Sequence, residues 1–359
     1  LILPYKNGYL STVCCDIAII INVIMNKAFN NYLKGADFVS DTLSVCGLTI
    51  CRGSKLRTML PVPGTEIEIP LTIINGAFDG PTLLVTAGIH GGEYPGIAAA
   101  MELGRSLDPQ EIHGSLIMLH PVNIQGFWAR REFIVPEDGK NLNRVFPGNP
   151  NGTLSEKTAG LISSSFFPLA DFYVDLHSGD IHESLHPYVY YPGQPTEELA
   201  AKARSVAKVL NVEYMVRSMA TGGAYNYAAS TGLPSLLIER GGAGLCLHED
   251  IEEYKSDLKN IMRKLGLLNE PVKPRRYIPR DVTDIIYLEA QETGCWLHHI
   301  HSGDFVEEGQ ILGRTTDLFG ETLTTYYAKQ SGIVLYVCPA LSAPQGTVLL
   351  AYGKIHNED

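Results

Sequence analysis

The chain has 359 residues, 45% of them apolar and 19% charged, enough for one large domain with a well-filled core plus a smaller one. A formal charge of -11 argues against a nucleic-acid binder, which needs a basic surface, but still allows a local basic site for a small substrate. Seven cysteines without a C-x-x-C pair read as reduced thiols of a cytoplasmic protein rather than a disulfide framework.

In chain order, residues 17–25 (IAIIINVIM) are strongly apolar but fall well short of the ~20 residues of a membrane span, with Asp16 before them and Asn22 within. Residues 1–40 are therefore read as an N-terminal extension of unassigned role, with no membrane partner. Segments 42–52 and 65–74 read as strands separated by Pro61, Pro63 and Gly64, and 75–81 as a turn. Leu83, Leu84 and Val85 form a short buried strand, and a helix pattern covers 97–107. A strand at 116–119 ends at His120-Pro121. A polar loop at 140–148 is followed by a helix at 155–167 and a strand at 171–176. Helices at 197–210 and 224–230, a strand at 235–238 and an amphipathic helix at 250–265 complete an α/β pattern with helices on both sheet faces. Residues 271–280, rich in proline and basic side chains, read as a linker between a 41–270 α/β domain and a small all-β domain at 281–359.

Three of the predicted strands end at chemistry-bearing residues beside glycine. His90 and Glu93 follow the first, His177 ends the second and Glu239 ends the third. Parallel strands place such ends side by side, where open α/β sheets bind their ligands. Two histidines and a glutamate are a known catalytic zinc set that leaves one position for water, whose pKa zinc lowers towards ~7. His90, Glu93 and His177 are the candidate ligands for one zinc per chain. Glu239, a carboxylate outside that set, suits the proton transfer from water to leaving amine. Asp175 is either an acceptor behind a ligand histidine or the partner of a neighbouring cation. Asn143-Arg144 is suited to a substrate carboxylate, and Arg130 or Arg131 to an oxyanion.

The motifs HGGE at 90–93, NLNRVFPG at 141–148, DLHSG at 175–179 and IERGG at 238–242, in that order, resemble the succinylglutamate desuccinylase/aspartoacylase family, a branch of the zinc carboxypeptidase-like hydrolases. The resemblance covers roughly 45–355. It implies a zinc carboxypeptidase-like mixed sheet flanked by helices, with His90, Glu93 and His177 as zinc ligands and Glu239 as general base. By the same resemblance Asn143 and Arg144 hold the substrate carboxylate, and Arg131, with Arg130 beside it, matches the oxyanion arginine. The loop from there to Asn143 is longer than the family's. The implied reaction removes an acetyl- or succinyl-type group from a small N-acyl amino acid, for example an acetylated diamino acid.

Other motifs compete. His182-Glu183-Ser184-Leu185-His186 spells H-E-x-x-H, which binds zinc only on a helix, yet His186 precedes a proline and a β-rich run follows. His120 is a substitute ligand, and His298, His299 and His301 read as loop residues. Residues 306–313 with 332–334 and 346–350 resemble a biotinyl/lipoyl-type barrel-sandwich, but 317–323 (DLFGETL) lacks the lysine a carrier presents there. That domain is expected to cap the site or mediate a homo-oligomer. The rival functions are a peptide metallocarboxypeptidase and a non-catalytic or carrier-type binding protein.

Overall fold

Runs such as Leu83–Val85, apolar at consecutive positions, suit strands buried on both faces, and the computed structural model places them at the centre of a large sheet. It describes residues 41–356; the extension 1–40, with its apolar run and two of its cysteines, lies outside the described residues. The elements in order are β1 (Thr42–Val45), β2 (Leu48–Cys51), β3 (Ser54–Pro61), β4 (Glu68–Asn75), β5 (Phe78–Ala87), α1 (Tyr94–Ser106) and β6 (His113–Leu119). Then come α2 (Ile124–Ala129), α3 (Leu154–Ser165), β7 (Phe172–His177), β8 (Ser184–Leu185), β9 (Tyr188–Pro192), α4 (Glu197–Ala207), β10 (Tyr214–Ser218), α5 (Ala224–Ser230), β11 (Ser235–Glu239) and α6 (His248–Leu265). The rest is strand: β12 (Arg280–Glu289), β13 (Gly294–His298), β14 (Phe305–Val306), β15 (Ile311–Thr316), β16 (Thr322–Tyr327), β17 (Gly332–Val337), β18 (Ser342–Ala343) and β19 (Val348–His356).

Several elements differ from the sequence reading: the segment read as one strand at 42–52 is a hairpin of β1 and β2, and α2 and β10 were not expected. Strand β3 is a polar sheet edge whose Lys55 and Arg57 break the apolar pattern. Strand β5 starts at Phe78, inside the expected turn, and absorbs Gly80 and Pro81 through a register shift against β6 between Phe78 and Thr82.

The main sheet runs β14-β17-β19-β12-β10-β9-β11-β7-β5-β6-β4-β3, with β8 paired to β17. It is mixed: β11, β7 and β5 are parallel neighbours, whereas β9 meets β11 antiparallel. Helices α1, α4 and α6 pack one face through Ile97, Leu103, Ala203, Tyr254 and Leu258. Helices α3 and α5 cover the other through Leu161, Ile162, Ala224 and Tyr225.

Helix α6 anchors the strand ends. Acidic residues in its first turn, basic ones in its last and Gly266 at φ 86 give it a well-capped dipole. From its buried face the Tyr254 hydroxyl meets the carbonyls of His177 and, at 3.0 Å, Ile238. Arg240, just after β11, donates to Asp257 at 2.7 Å, a pair almost wholly buried.

The C-terminal strands divide between two sheets. Strands β12, β14, β17 and β19 extend the main sheet beyond β10, while β16-β15-β13-β18 form a sheet of their own. An apolar cluster around Trp296, Leu312 and Tyr352 gives this region its own core. A second cluster, with Tyr188, Tyr214, Leu335 and Tyr336, joins it to the α/β part. The described residues from Thr42 onward accordingly form one compact unit. The region is free of helix, as expected, but half its strands belong to the main sheet because β12 pairs with β10 in parallel. Among the described residues Cys46, Cys246, Cys295 and Cys338 are free thiols. No described helix is long and apolar enough to cross a membrane.

Candidate active site

Side-by-side parallel strands bring the expected residues together. Leu176 pairs with Ala87 of β5, and His177 pairs with Glu239 of β11. Past β5 the chain turns through Gly88, at φ 71, and Gly91, where a Cβ would lie 2.3 Å from the Phe127 nitrogen. This tight turn puts His90 and Glu93 beside His177 at the start of α1.

The Glu93 carboxylate lies between two imidazoles, 2.7 Å from His90 Nδ1 and 2.9 Å from His177 Nδ1. The rings stand at 85° with centroids 4.8 Å apart. Behind each ring an oxygen engages Nε2: Asn141 Oδ1 for His90 and Asp175 Oδ2 for His177, each at 3.1 Å. Both Nδ1 atoms therefore face one point, with acceptors fixing the ring orientations from outside. Ligand atoms of His90, Glu93 and His177 lie within 4.8 Å of one another, a two-nitrogen, one-oxygen set that fits zinc. Of its two readings, Asp175 is the acceptor behind the His177 ring. Its other oxygen accepts from Thr86 Oγ1 at 2.6 Å, and Thr86 also meets the Tyr173 hydroxyl.

The electrostatics match. Burial pushes the Glu93 carboxyl up, yet His177 and His90 outweigh it and hold it at about 2. Burial disfavours His177 as a cation, but Glu93 and Asp175 raise its pKa well above the ordinary value. Glu239 is pushed well above the carboxylate range by burial, and by Glu93, Glu183 and Asp175, against the pull of His177. Its Oε2 is buried without a hydrogen-bond partner at the wall of a cavity of about 1040 Å³. A positive charge held among the three ligand candidates would lower its pKa again.

Asn143 and Arg144 also line this cavity. Asn143 is buried, and its Oδ1 accepts from the Ala224 nitrogen at 2.8 Å, fixing the 142–144 turn against the start of α5. Arg144 is exposed, and one of its nitrogens donates to the Asn143 carbonyl at 3.1 Å. Of the two oxyanion candidates, Arg130 and Arg131, both are exposed and neither lines the cavity. Arg130 ends α2 in the left-handed conformation at φ 52, and the reversal there turns Glu132 and Phe133, rather than the arginines, to the cavity.

The competing motifs fall away. Residues 182–186 form a turn and the short strand β8, with His182 on Glu132 at 2.7 Å and His186 on Glu213 at 3.3 Å. His182 does line the cavity, as a loop histidine just after β7 can. His120 lies outside the His90, Glu93 and His177 group, buried against Thr72, and burial lowers its pKa to about 4.

Sequence reasoning missed several contributors. Asn141 was visible only as part of a motif, and Asp180 sits one residue past another. Glu183 was set aside with the H-E-x-x-H pattern. Tyr287, Tyr336 and Cys338 line the cavity from β12, β17 and the residue after β17, a long-range contribution that no local pattern announces.

Comparison with known proteins agrees with this geometry. Residues 79–265 match the model of the succinylglutamate desuccinylase/aspartoacylase catalytic domain. The chain is 29% identical over 290 residues to the N-alpha-acetyl-L-2,4-diaminobutyric acid deacetylase of Halomonas elongata, covering 77% of this chain and 84% of that one. Among solved structures it is similar to the product-bound ectoine utilization protein EutE (DoeB) from Ruegeria pomeroyi, at 27% identity and a TM-score of 0.77, covering 84% of this chain and 95% of that one. A succinylglutamate desuccinylase from Silicibacter sp. TM1040 gives 26% identity, a TM-score of 0.75 and the same coverages. On the sequence match, the fold and the residues gathered at its strand ends, the chain belongs to the succinylglutamate desuccinylase/aspartoacylase family.

Proposed function

We propose that the protein is a zinc-dependent amidohydrolase that removes an acyl group, acetyl in the first instance, from a small N-acyl amino acid. The observation that carries the reading is the convergence of His90 Nδ1, His177 Nδ1 and Glu93 with Glu239 in register beside them. A zinc ion held by the three would supply Lewis-acid polarisation of the amide carbonyl and a lowered pKa for water.

The chain's own groups do the rest. Asn141 and Asp175 orient the imidazoles. Asn143 and Arg144 hold the substrate carboxylate, which fixes the amide against the strand ends. Glu239 Oε2 takes a proton from the attacking water as the new C–O bond forms, and returns it to the amide nitrogen as the C–N bond breaks. The products are a carboxylate and a free amine.

The name of the Halomonas relative supports acetyl as the acyl group and makes an acetylated diamino acid the first compound to test. The same reading takes 41–270 as the catalytic domain, 271–280 as a linker and 281–359 as a barrel-sandwich-type cap. A carrier role is disfavoured, because the 317–320 hairpin tip presents exposed Leu318 and Phe319 and no lysine.

The test is a panel of N-acetyl, N-succinyl and N-formyl amino acids and C-terminal dipeptides, incubated with zinc-loaded protein, with release of amine and acid measured. Acetate release without peptide trimming is expected. Trimming of peptides with no deacylation would assign the site to a metallocarboxypeptidase instead.

A further inference from the structure

The charge in the cavity does not balance. Five carboxylates line it (Glu93, Glu132, Asp180, Glu183 and Glu239), and Arg144 is the single lysine or arginine among its lining residues. Glu93 faces the two histidines, Glu239 is the base, and Glu132 meets His182 at 2.7 Å. That leaves Asp180 and Glu183, neither of which forms an ion pair with a described residue.

Both sit on the turn that follows β7. The Glu183 nitrogen donates to the Asp180 carbonyl at 3.1 Å, and the Glu183 carbonyl accepts from the Ala243 nitrogen at 2.7 Å, pinning the turn to the loop after β11. Asp180 is 8% exposed; its Oδ1 accepts from the Ile181 nitrogen at 2.7 Å, while its Oδ2 is buried with no partner. Burial pushes the Glu183 carboxyl up to about 7, and Glu93, Asp180 and Glu132 push the same way. Carboxylates of like charge on one turn, one of them buried with an orphaned oxygen, make a site that a cation would relieve.

We propose that Asp180 and Glu183 form a cation subsite that receives a second, unacylated ammonium group of the substrate, so that the amine half is a diamino acid. The inference rests on the deacylase reading. A simple N-acyl amino acid has a neutral amide and a carboxylate, the latter taken by Asn143 and Arg144, and brings nothing positive to this turn. A second metal ion is the other source of positive charge. It is disfavoured because, among the described residues, only His90, Glu93 and His177 gather three ligand atoms. An ammonium needs only the two carboxylates.

The test compares kcat/KM of the zinc-loaded protein for Nα-acetyl-L-2,4-diaminobutyrate and for Nα-acetyl-L-2-aminobutyrate, which lacks the second amine. Calorimetric binding of the two free amino acids is measured alongside. The diamino compound is expected to be preferred roughly 10- to 100-fold in both measurements, the worth of a charged hydrogen bond. Asp180→Asn and Glu183→Gln should each collapse that ratio about tenfold. A ratio near one in wild type, or variants that depress both compounds and keep the ratio, would overturn the subsite. So would a second bound metal per chain that disappears in Asp180→Asn. Turnover without discrimination removes the subsite and leaves the deacylase; binding discrimination without turnover of any acyl amino acid does the reverse.

Discussion

Asp175→Asn isolates the contribution of the group behind His177. Asp175 is wholly buried, with one oxygen on Thr86 Oγ1 at 2.6 Å and the other 3.1 Å from His177 Nε2. Asparagine keeps the shape but has one acceptor. If its oxygen stays with Thr86, an amide N–H faces Nε2, which must then shed its proton, and the proton moves to the Nδ1 that should bind the metal. If the amide flips, Thr86 loses its acceptor inside the core. Either way the imidazole also loses a neighbouring negative charge that keeps it basic. Changes of this kind cost 10- to 100-fold in metal affinity, or about 1.4–2.8 kcal/mol. Zinc affinity measured by competition with a chromophoric chelator should weaken by that factor, with a folded protein by circular dichroism. An unchanged zinc affinity in a folded variant would refute the claim that Asp175 sets the state of His177.

Three further outcomes follow from the same geometry. Tyr254→Phe removes the hydroxyl that meets the His177 and Ile238 carbonyls, so urea unfolding should show a loss of about 1–2 kcal/mol; no loss would mean that α6 does not secure the strand ends. His120, held at about 4 by burial, takes its proton first in the unfolded state, so the stability it confers is full above pH 6.5 and is lost as pH falls towards 4. The drop from 6.5 to about 4 is worth about 3 kcal/mol, and His120→Gln should flatten the acid side of the stability profile by that order; an unaltered profile would contradict the burial argument. Zinc at a hundred times its Kd should stabilise the wild type by about 2.7 kcal/mol over chelator-treated protein, and His177→Ala should abolish the gain; an undiminished gain would place the metal elsewhere.

The part of the site carried by strand ends was legible because it obeys a local rule. Residues 83–85, 172–174 and 236–238 are apolar without alternation, as strands buried on both faces must be, and each run leads within a few residues to glycine and a metal- or proton-binding side chain. Parallel neighbours then fix where those side chains meet. Arg131 illustrates the limit of the rule. Its position depends on how a non-helical segment leaves α2, and the left-handed Arg130 decides that without any strong sequence signal. Asp180 and Glu183 were hidden for a similar reason, since only the packing of one turn on the loop after β11 faces them inward. The C-terminal strands read correctly as strands, but that β12 pairs with β10 is a contact across more than sixty residues of chain, visible only in the assembled sheet.

The measurement that bears most directly on the whole account is Glu239→Gln, assayed for acetate release from Nα-acetyl-L-2,4-diaminobutyrate and for bound zinc in the same preparation. Turnover should fall by about 10²–10⁴, the range for a positioned general base, with zinc still near one per chain. Loss of zinc along with activity would make Glu239 a ligand, and retained turnover would remove it from the chemistry altogether.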